Sequence, residues 1–283
     1  MPEAVAGRRR RRRRLSFNLY LWLGGGLLGL FVLLALFGPA IAPYDTAAQD
    51  LFALMQPPSA EHLLGTDNVG RDILSRIIVG TRYTLSIALV ATLAAGLGGV
   101  ALGAVAGYFG GLTDRIVTGF VDLLLTVPNL VLAIAIAAAV GASATGLTVA
   151  ITASFIPPIA RLMRARVIEL KEEDFVSAAV TTGMSHTRIL LRHVLPNAST
   201  VIVIEMSLNA GQAVLVGSAL GFLGLGVQPP APEWGAMLGA SREFYAIAPH
   251  LVVAPGIAIS LLVLAFNLTG DGLRDHFDPG IQR

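Results

Sequence analysis

Two aspartates, Asp122 inside an apolar stretch and Asp271 at the end of another, are the side chains whose type and surroundings could support acid–base catalysis. Two neighbouring carboxyl groups that share one proton titrate at different pH values and can act as an acid and a base. However, the sequence around Asp271, "NLTGDG", lacks the Gly-x-Gly-Asp order of intramembrane aspartyl proteases, and no nucleophile elbow is present. An intramembrane protease is therefore a remote alternative, and we predict no catalytic residue.

Metal and thiol chemistry have no support in this chain. It contains no cysteine, and its five histidines do not follow any metal-binding spacing. We therefore predict neither a metal ion nor a cofactor in this subunit. A passive channel would need a ring of like charges around a pore, and the sequence does not suggest one.

Four polar side chains lie inside apolar stretches, where contact with lipid would cost free energy, so they are expected to face protein or water. Glu205, Asn209 and Gln212 are spaced i, i+4 and i+7, which puts them on one face of a helix. That face either lines a polar path for a solute or contacts a partner helix, and we favour the path. Asp122 lies near the cytoplasmic start of its stretch, and for it we favour a structural role over the path.

Six apolar stretches are long enough to position these side chains within a membrane. The chain has 283 residues, of which 54% are hydrophobic and 13% charged, against roughly 25% charged in soluble domains. A bilayer core needs roughly 20 apolar residues in a helix. The candidate spans are residues 17–42, 85–109, 116–140, 147–163, 201–227 and 247–269. We therefore predict an all-α integral membrane protein with six transmembrane helices.

Basic residues predict the orientation of these spans. With the N-terminus in the cytoplasm, only Arg71, Arg76, Arg82 and Arg242 of the 20 basic residues fall outside, which leaves sixteen inside. The seven consecutive arginines at 8–14 then act as a topological anchor and place both termini in the cytoplasm. Cleavage of a signal peptide after Ala42 and binding of nucleic acid by the basic run are the less favoured alternatives.

The remaining segments follow from these spans. Residues 1–16 form a basic cytoplasmic tail, residues 17–82 the first span with an extracytoplasmic segment, residues 83–272 the core, and residues 273–283 a cytoplasmic tail. From Asp72 to Arg82, apolar and basic residues alternate at helical spacing, which predicts a separate amphipathic helix at the membrane interface. In the fourth span, Pro157 and Pro158 predict a kink.

The long cytoplasmic segment 164–199 is predicted to fold as a helix–turn–helix. The stretch "FVSAAVTT" favours a short helix with small residues, and Gly183 suits a left-handed helix stop. Ser185 is a candidate N-cap for a second helix, which Pro196 is expected to end. Small side chains would allow another protein to approach closely, although a plain solvated connection is the open alternative.

This segment resembles the cytoplasmic signature of ABC importer permeases: Glu-Ala-Ala, three residues, Gly, nine residues, then Ile-x-Leu-Pro. Here Ser177, Ala178 and Ala179 are followed at the same spacing by Gly183 and by "HVLP", which begins at His193. Four further stretches resemble the oligopeptide, dipeptide and nickel permeases, in particular the second, C-type permease of the pair. They are "LGTDNVGRDILSRIIVGTR" (64–82), "FVDLLLTVPNL" (120–130), "LGFLGLGVQPPAPEWGAML" (220–238) and "FNLTGDGLRDHFDP" (266–279).

The resemblance implies a type I ABC importer permease fold with a cytoplasmic coupling-helix loop, in a bacterial cytoplasmic membrane. It implies a heterodimer with a second permease and one or two ATPase subunits, which bind the ATP and magnesium. A substrate-binding lipoprotein or periplasmic protein would deliver the substrate, and no nucleic acid is expected. The implied cargo is an oligopeptide or dipeptide, with nickel or another small solute as the alternative.

The resemblance also implies which residues contact these partners. Residues expected at the ATPase-coupling loop are Phe175, Ser177, Ala178, Ala179, Gly183, His193, Leu195 and Pro196. Residues expected to contact the binding protein are Arg71, Asp72, Glu233 and Trp234.

Overall fold

The computed structural model of the protein describes residues 3–277, with side chains described for residues 19–275. Within this range the regular structure is helical, apart from one isolated β-bridge between Thr66 and Asp72. The helices are α1 (Glu3–Ile41), α2 (Ile73–Phe109), α3 (Gly111–Leu125), α4 (Asn129–Val140), α5 (Ala144–Lys171), α6 (Asp174–Thr181), α7 (His186–Ile189), a π segment (Leu190–Val194), α8 (Leu195–Phe222), α9 (Trp234–Ser241) and α10 (His250–Phe277).

Five helical stretches of the described chain are long and apolar enough to cross a membrane, and α3 with α4 makes a sixth if the bent pair is one span. The five are Leu19–Ile41, Ile73–Phe109, Ala144–Lys171, His186–Phe222 and His250–Asp275. The all-α membrane architecture predicted from the sequence is therefore confirmed.

The third span differs from the predicted continuous helix 116–140. It is broken into α3 and α4, whose axes differ in direction by 92°. Pro128 explains the break, because proline lacks a backbone N–H and disfavours helical conformation at the preceding Val127. The Thr126 hydroxyl donates to the Leu123 carbonyl at 2.6 Å, which helps to close the end of α3.

The predicted interfacial helix 72–82 is wrong, because this segment is the first part of α2. Asp72 caps the helix by accepting a hydrogen bond from the Ser75 N–H at 2.8 Å, and α2 then runs unbroken to Phe109. Arg76 is buried instead of facing water, and its guanidinium donates to the carbonyls of Thr46 at 2.8 Å and Pro230 at 3.2 Å. Loops distant in sequence therefore cover the basic face of this segment.

Helices α2 and α5 pack closely through a row of glycines at four-residue spacing. A Cβ atom on Gly99 would lie 2.7 Å from the Ile159 side chain, and one on Gly103 would lie 2.3 Å from the Ala160 carbonyl oxygen. Small residues at such positions allow backbones to approach in a membrane, where packing replaces the hydrophobic effect. Helix α5 contains both Pro157 and Pro158 without being interrupted.

The bundle has two distinct ends, because α2 alone spans about 55 Å at 1.5 Å per residue. Trp234 packs beside Gly80 near the start of α2, and residues 43–72 lie at this end, which we call the α9 end. The ring of Tyr108 near the last turn of α2 packs against His186, and this is the α6 end. A separate hydrophobic cluster at the α6 end joins α2, α5, α6 and the π segment.

Candidate functional site

Helix α6 is short and two-sided. Val176 and Ala179 are buried in the hydrophobic cluster of the α6 end, whereas Ser177 and Ala178 are exposed. The assignment of Ala179 to the ATPase-coupling loop stays a prediction, but its side chain is only 8% exposed and packs inward. The reason is the helical period: Ala179 follows Val176 by three residues and therefore lies on the same inward face.

Gly183 ends α6 in a left-handed conformation with φ of +75°, which confirms the predicted helix stop. The Gly183 N–H donates to the Val180 carbonyl at 3.0 Å, and the Met184 N–H donates to the Ala179 carbonyl at 3.3 Å. These two bonds form a Schellman motif, which satisfies carbonyls at a helix C-terminus. Met184 packs on the same cluster as Ala179, which supplies the hydrophobic contact typical of this motif.

The chain then returns through α7 and the π segment directly into α8. Ser185 occupies the N-cap position of α7, but its side chain makes no capping hydrogen bond, so that part of the prediction is wrong. Pro196 does not end the helix as expected, because it lies in the first turn of α8, just after the wider π turn. Leu195 is half-buried and Pro196 is exposed.

His193 lies in the π segment, where its side chain is partly buried. Its carbonyl accepts a hydrogen bond from the Asn197 amide at 2.6 Å, and its Nε2 atom is buried without a partner among the described residues. His193 therefore belongs to the support of the α6 end more than to its surface.

Two contacts from α2 and α5 hold this end in place. The Tyr108 hydroxyl lies 3.2 Å from Nδ1 of His186, and the Lys171 ammonium lies 5.9 Å from the centre of the Tyr108 ring. Together with the buried residues Ile189 and Val194, these contacts join α7 and the π segment to α2 and α5. Sequence reasoning missed Tyr108, which resembles any aromatic residue at the end of a span.

Several apolar side chains of the α6 end are exposed. Phe175, Val180 and Leu191 are 38%, 47% and 60% exposed, and the small Ala178 is exposed too. We call these four residues the α6 surface. Apolar side chains that remain exposed among polar ones, here Asp174, Ser177 and Thr181, occur at protein–protein contacts.

Asp122 forms an ion pair with Arg161 of α5, and both side chains are about half exposed. The arrangement accounts for a charge inside a span, because the carboxylate has a cationic partner. Neither the ion pair nor Arg161 was anticipated from the sequence, since the partners are 39 residues apart.

The three polar residues of α8 have different environments. Asn209 is buried, and its side-chain nitrogen has no hydrogen-bond partner among the described residues. Glu205 is partly buried and Gln212 is exposed. Within the described part of the chain, no ion pair involves Glu205.

The four residues predicted to contact a binding protein are all buried at the α9 end, and their contact with such a protein stays a prediction. Arg71 Nε donates to Asp67 at 2.7 Å, and Asp72 accepts from Ser75. The fully buried Trp234 donates from Nε1 to the Ile77 carbonyl at 3.1 Å. These residues hold loops 43–72 and 228–233 onto α2.

Glu233 caps α9 from within this buried layer. Its carboxylate accepts hydrogen bonds from the N–H groups of Gly235 at 2.9 Å and Ala236 at 2.8 Å. Burial raises the pKa of Glu233, and the two backbone hydrogen bonds oppose this shift. Among the residues the structure describes, no group of three potential ligands is arranged to hold a metal ion.

Two family models match the sequence. Residues 99–283 match "Binding-protein-dependent transport system inner membrane component", and residues 8–58 match "N-terminal TM domain of oligopeptide transport permease C". Together these matches extend over most of the chain.

Curated relatives match almost the full length. The dipeptide transport system permease protein DppC of Alkalihalophilus pseudofirmus is 42% identical over 98% of this chain and 91% of its own length. The glutathione transport system permease protein GsiD of Pectobacterium atrosepticum is 42% identical over 90% of this chain and 86% of its own length. DppC of Haemophilus influenzae is 39% identical over 92% of both chains.

Proposed function

Since this chain belongs to the family of binding-protein-dependent transport system inner membrane components, we propose that it passes short peptides through an ATP-driven importer. Membership makes the chain a permease component of an ABC importer in the inner membrane and not an enzyme. The peptide cargo, the partner subunits and the orientation are the finer parts of the proposal.

The observation that carries the cargo is full-length similarity to permeases of two peptide-type systems. Relatives named for dipeptide and for glutathione transport align over nine-tenths or more of this chain. Glutathione is itself a small peptide, so both names fit one chemical class. The unpaired Glu205 and the exposed Gln212 offer polar groups that such a substrate could contact.

The α6 surface is the proposed contact for an ATPase subunit. It exposes apolar side chains, and Tyr108 of α2 contacts His186 of the adjoining α7, so a force applied there would move the ends of the spans as well as the loop. Only Glu172 and Glu173 separate α5 from α6, which makes this connection short. ATP and magnesium would be bound by that partner subunit.

The proposed orientation puts the α6 end and both termini in the cytoplasm. The α6 end carries a concentration of basic residues, which cells retain on the cytoplasmic side. These are Arg161, Arg164, Arg166, Lys171, Arg188 and Arg192. The α9 end then faces outward, where a substrate-binding protein would dock, and a second permease would complete the heterodimer.

Reconstitution tests the proposal directly. The complete complex, copurified with its neighbouring permease, ATPases and binding protein, is placed in liposomes and supplied with labelled dipeptide, glutathione or nickel. We expect ATP-dependent uptake of the peptides. Uptake of nickel without peptide uptake would refute the peptide cargo, and ATP-independent leakage of all solutes would refute the importer.

A further inference from the structure

Helix α3 is fastened to α5 by two ion pairs. Arg164 binds Asp114 through two parallel hydrogen bonds, from Nε to Oδ1 at 2.5 Å and from Nη2 to Oδ2 at 2.6 Å. The second pair joins Arg161 to Asp122, two turns further along α3. Forked arginine–carboxylate pairs fix geometry as well as supplying energy.

The Asp114–Arg164 pair is the more enclosed of the two. The Asp114 side chain is 24% exposed and that of Arg164 is 32% exposed, and the Thr118 hydroxyl also donates to Asp114 at 2.9 Å. Removing one partner would leave the other charge partly enclosed and unpaired, and this costs more free energy than losing an exposed pair.

Apolar packing holds α3 weakly. Val121 is its one buried residue in the described structure, while apolar side chains such as Ile116 and Phe120 point outward. Between α2, α3 and α5 lies a cavity of about 280 Å³, whose lining includes Asp122, Arg161 and Arg164. Space behind a helix that is held mainly by charges allows that helix to change its position relative to its neighbours.

Helix α5, in contrast, is firmly connected at this level. Its backbone lies against Gly103 and Gly107 of α2, where a Cβ on Gly107 would lie 2.8 Å from the Arg164 carbonyl oxygen. It also leads into α6 through only two residues. A displacement of α6 is therefore passed to α5 through this short connection, and α5 has polar links to α3 through Arg164 and Arg161.

We propose that the Asp114–Arg164 pair is a positioning link that transmits movement of the α6 surface to α3 and the bent third span. This inference rests on the proposed importer function. The link acts in the coupling between ATP hydrolysis and transport, so its loss affects how much substrate is moved for each ATP consumed. The pair Arg166–Glu169 lies within α5 and makes no such connection.

The test uses the complete reconstituted complex with three variants. D114N removes the link, the exchange D114R with R164D restores a pair with reversed charges, and R166Q removes the pair confined to α5. For D114N we expect ATPase activity to persist while peptide moved per ATP falls about 2- to 30-fold, the range typical of coupling networks. We expect the exchange to recover most of this ratio and R166Q to leave it unchanged.

Three results would overturn the link. They are an unchanged ratio in D114N, an equal fall of ATPase activity and uptake together with a lower unfolding temperature, and failure of the exchange to recover the ratio. Each presupposes ATP-driven peptide uptake by the unaltered complex. If the unaltered complex itself shows no such uptake, the proposed function fails instead.

Discussion

Replacing Gly183 tests whether the shape of the α6 end matters for coupling. The backbone at Gly183 has φ of +75°, and a Cβ there would meet no atom within 4 Å. The whole effect of a substitution therefore comes from the backbone conformation. An L-residue pays about 1–2 kcal/mol in this left-handed region, and a β-branched residue is the least suited to it.

The expected magnitude follows from that conformational energy. About 1–2 kcal/mol changes the ratio of two conformations roughly 5- to 30-fold, so Gly183→Val should shift α6 towards a displaced position. Because the hydrophobic cluster beneath is untouched, we expect the complex to assemble. Peptide uptake should fall, by at most about 30-fold, while basal ATP hydrolysis continues.

Gly183→Asn is the matched control, since asparagine tolerates the left-handed region. Uptake and ATP hydrolysis are measured in parallel in liposomes that contain each complex, with complex content determined by quantitative electrophoresis. Wild-type uptake by the valine variant, or equal impairment of both variants, would show that the left-handed turn does not position the coupling surface.

Three further changes test other parts of the structure. Ala179→Leu should lower the free energy of unfolding by about 1–3 kcal/mol, because the larger side chain overpacks the buried cluster. Ala178→Leu lies on the exposed side and should change this free energy by about 0.5 kcal/mol or less. Thermal unfolding in detergent measures both changes. Burial raises the pKa of Glu233 above its ordinary 4.5. Protonated Glu233 therefore stabilises the folded state fully below pH 4.5, and this stabilisation is lost as the pH rises through the folded-state pKa. Glu233→Gln should remove that slope from the pH dependence of the unfolding temperature, and an unchanged slope would contradict the assignment. Because the chain has no cysteine, single introduced cysteines report its orientation in the membrane. Phe52→Cys should react with an impermeant maleimide in intact cells, and Thr181→Cys should react only after permeabilisation. The reverse pattern would invert the proposed topology.

Hydropathy predicted most of the architecture because it is a local property of the chain. The left-handed stop at Gly183 was likewise predictable, since glycine is the residue that this conformation favours. The break at Pro128 was visible in principle, but the apolar run continues through it and hides a change of direction.

The tertiary partners could not be read from local patterns. Arg76 has the spacing of a solvent-facing residue, yet its acceptors Thr46 and Pro230 lie 30 and 154 residues away. Asp114 and Arg164 are 50 residues apart, and nothing in either segment identifies the other as its partner. The motif spacing alone does not reveal that the helical period turns Ala179 inward and its neighbours Ser177 and Ala178 outward.

The five-residue π segment Leu190–Val194 gives α8 a built-in rotational offset. One residue of an α-helix corresponds to about 100° of rotation and 1.5 Å of rise. If the segment shed its extra residue and wound as an ordinary helix, everything on its N-terminal side would swivel by about that angle relative to α8. A shift of one residue along this helix would therefore produce a large rotation of α6 and α7 relative to α8.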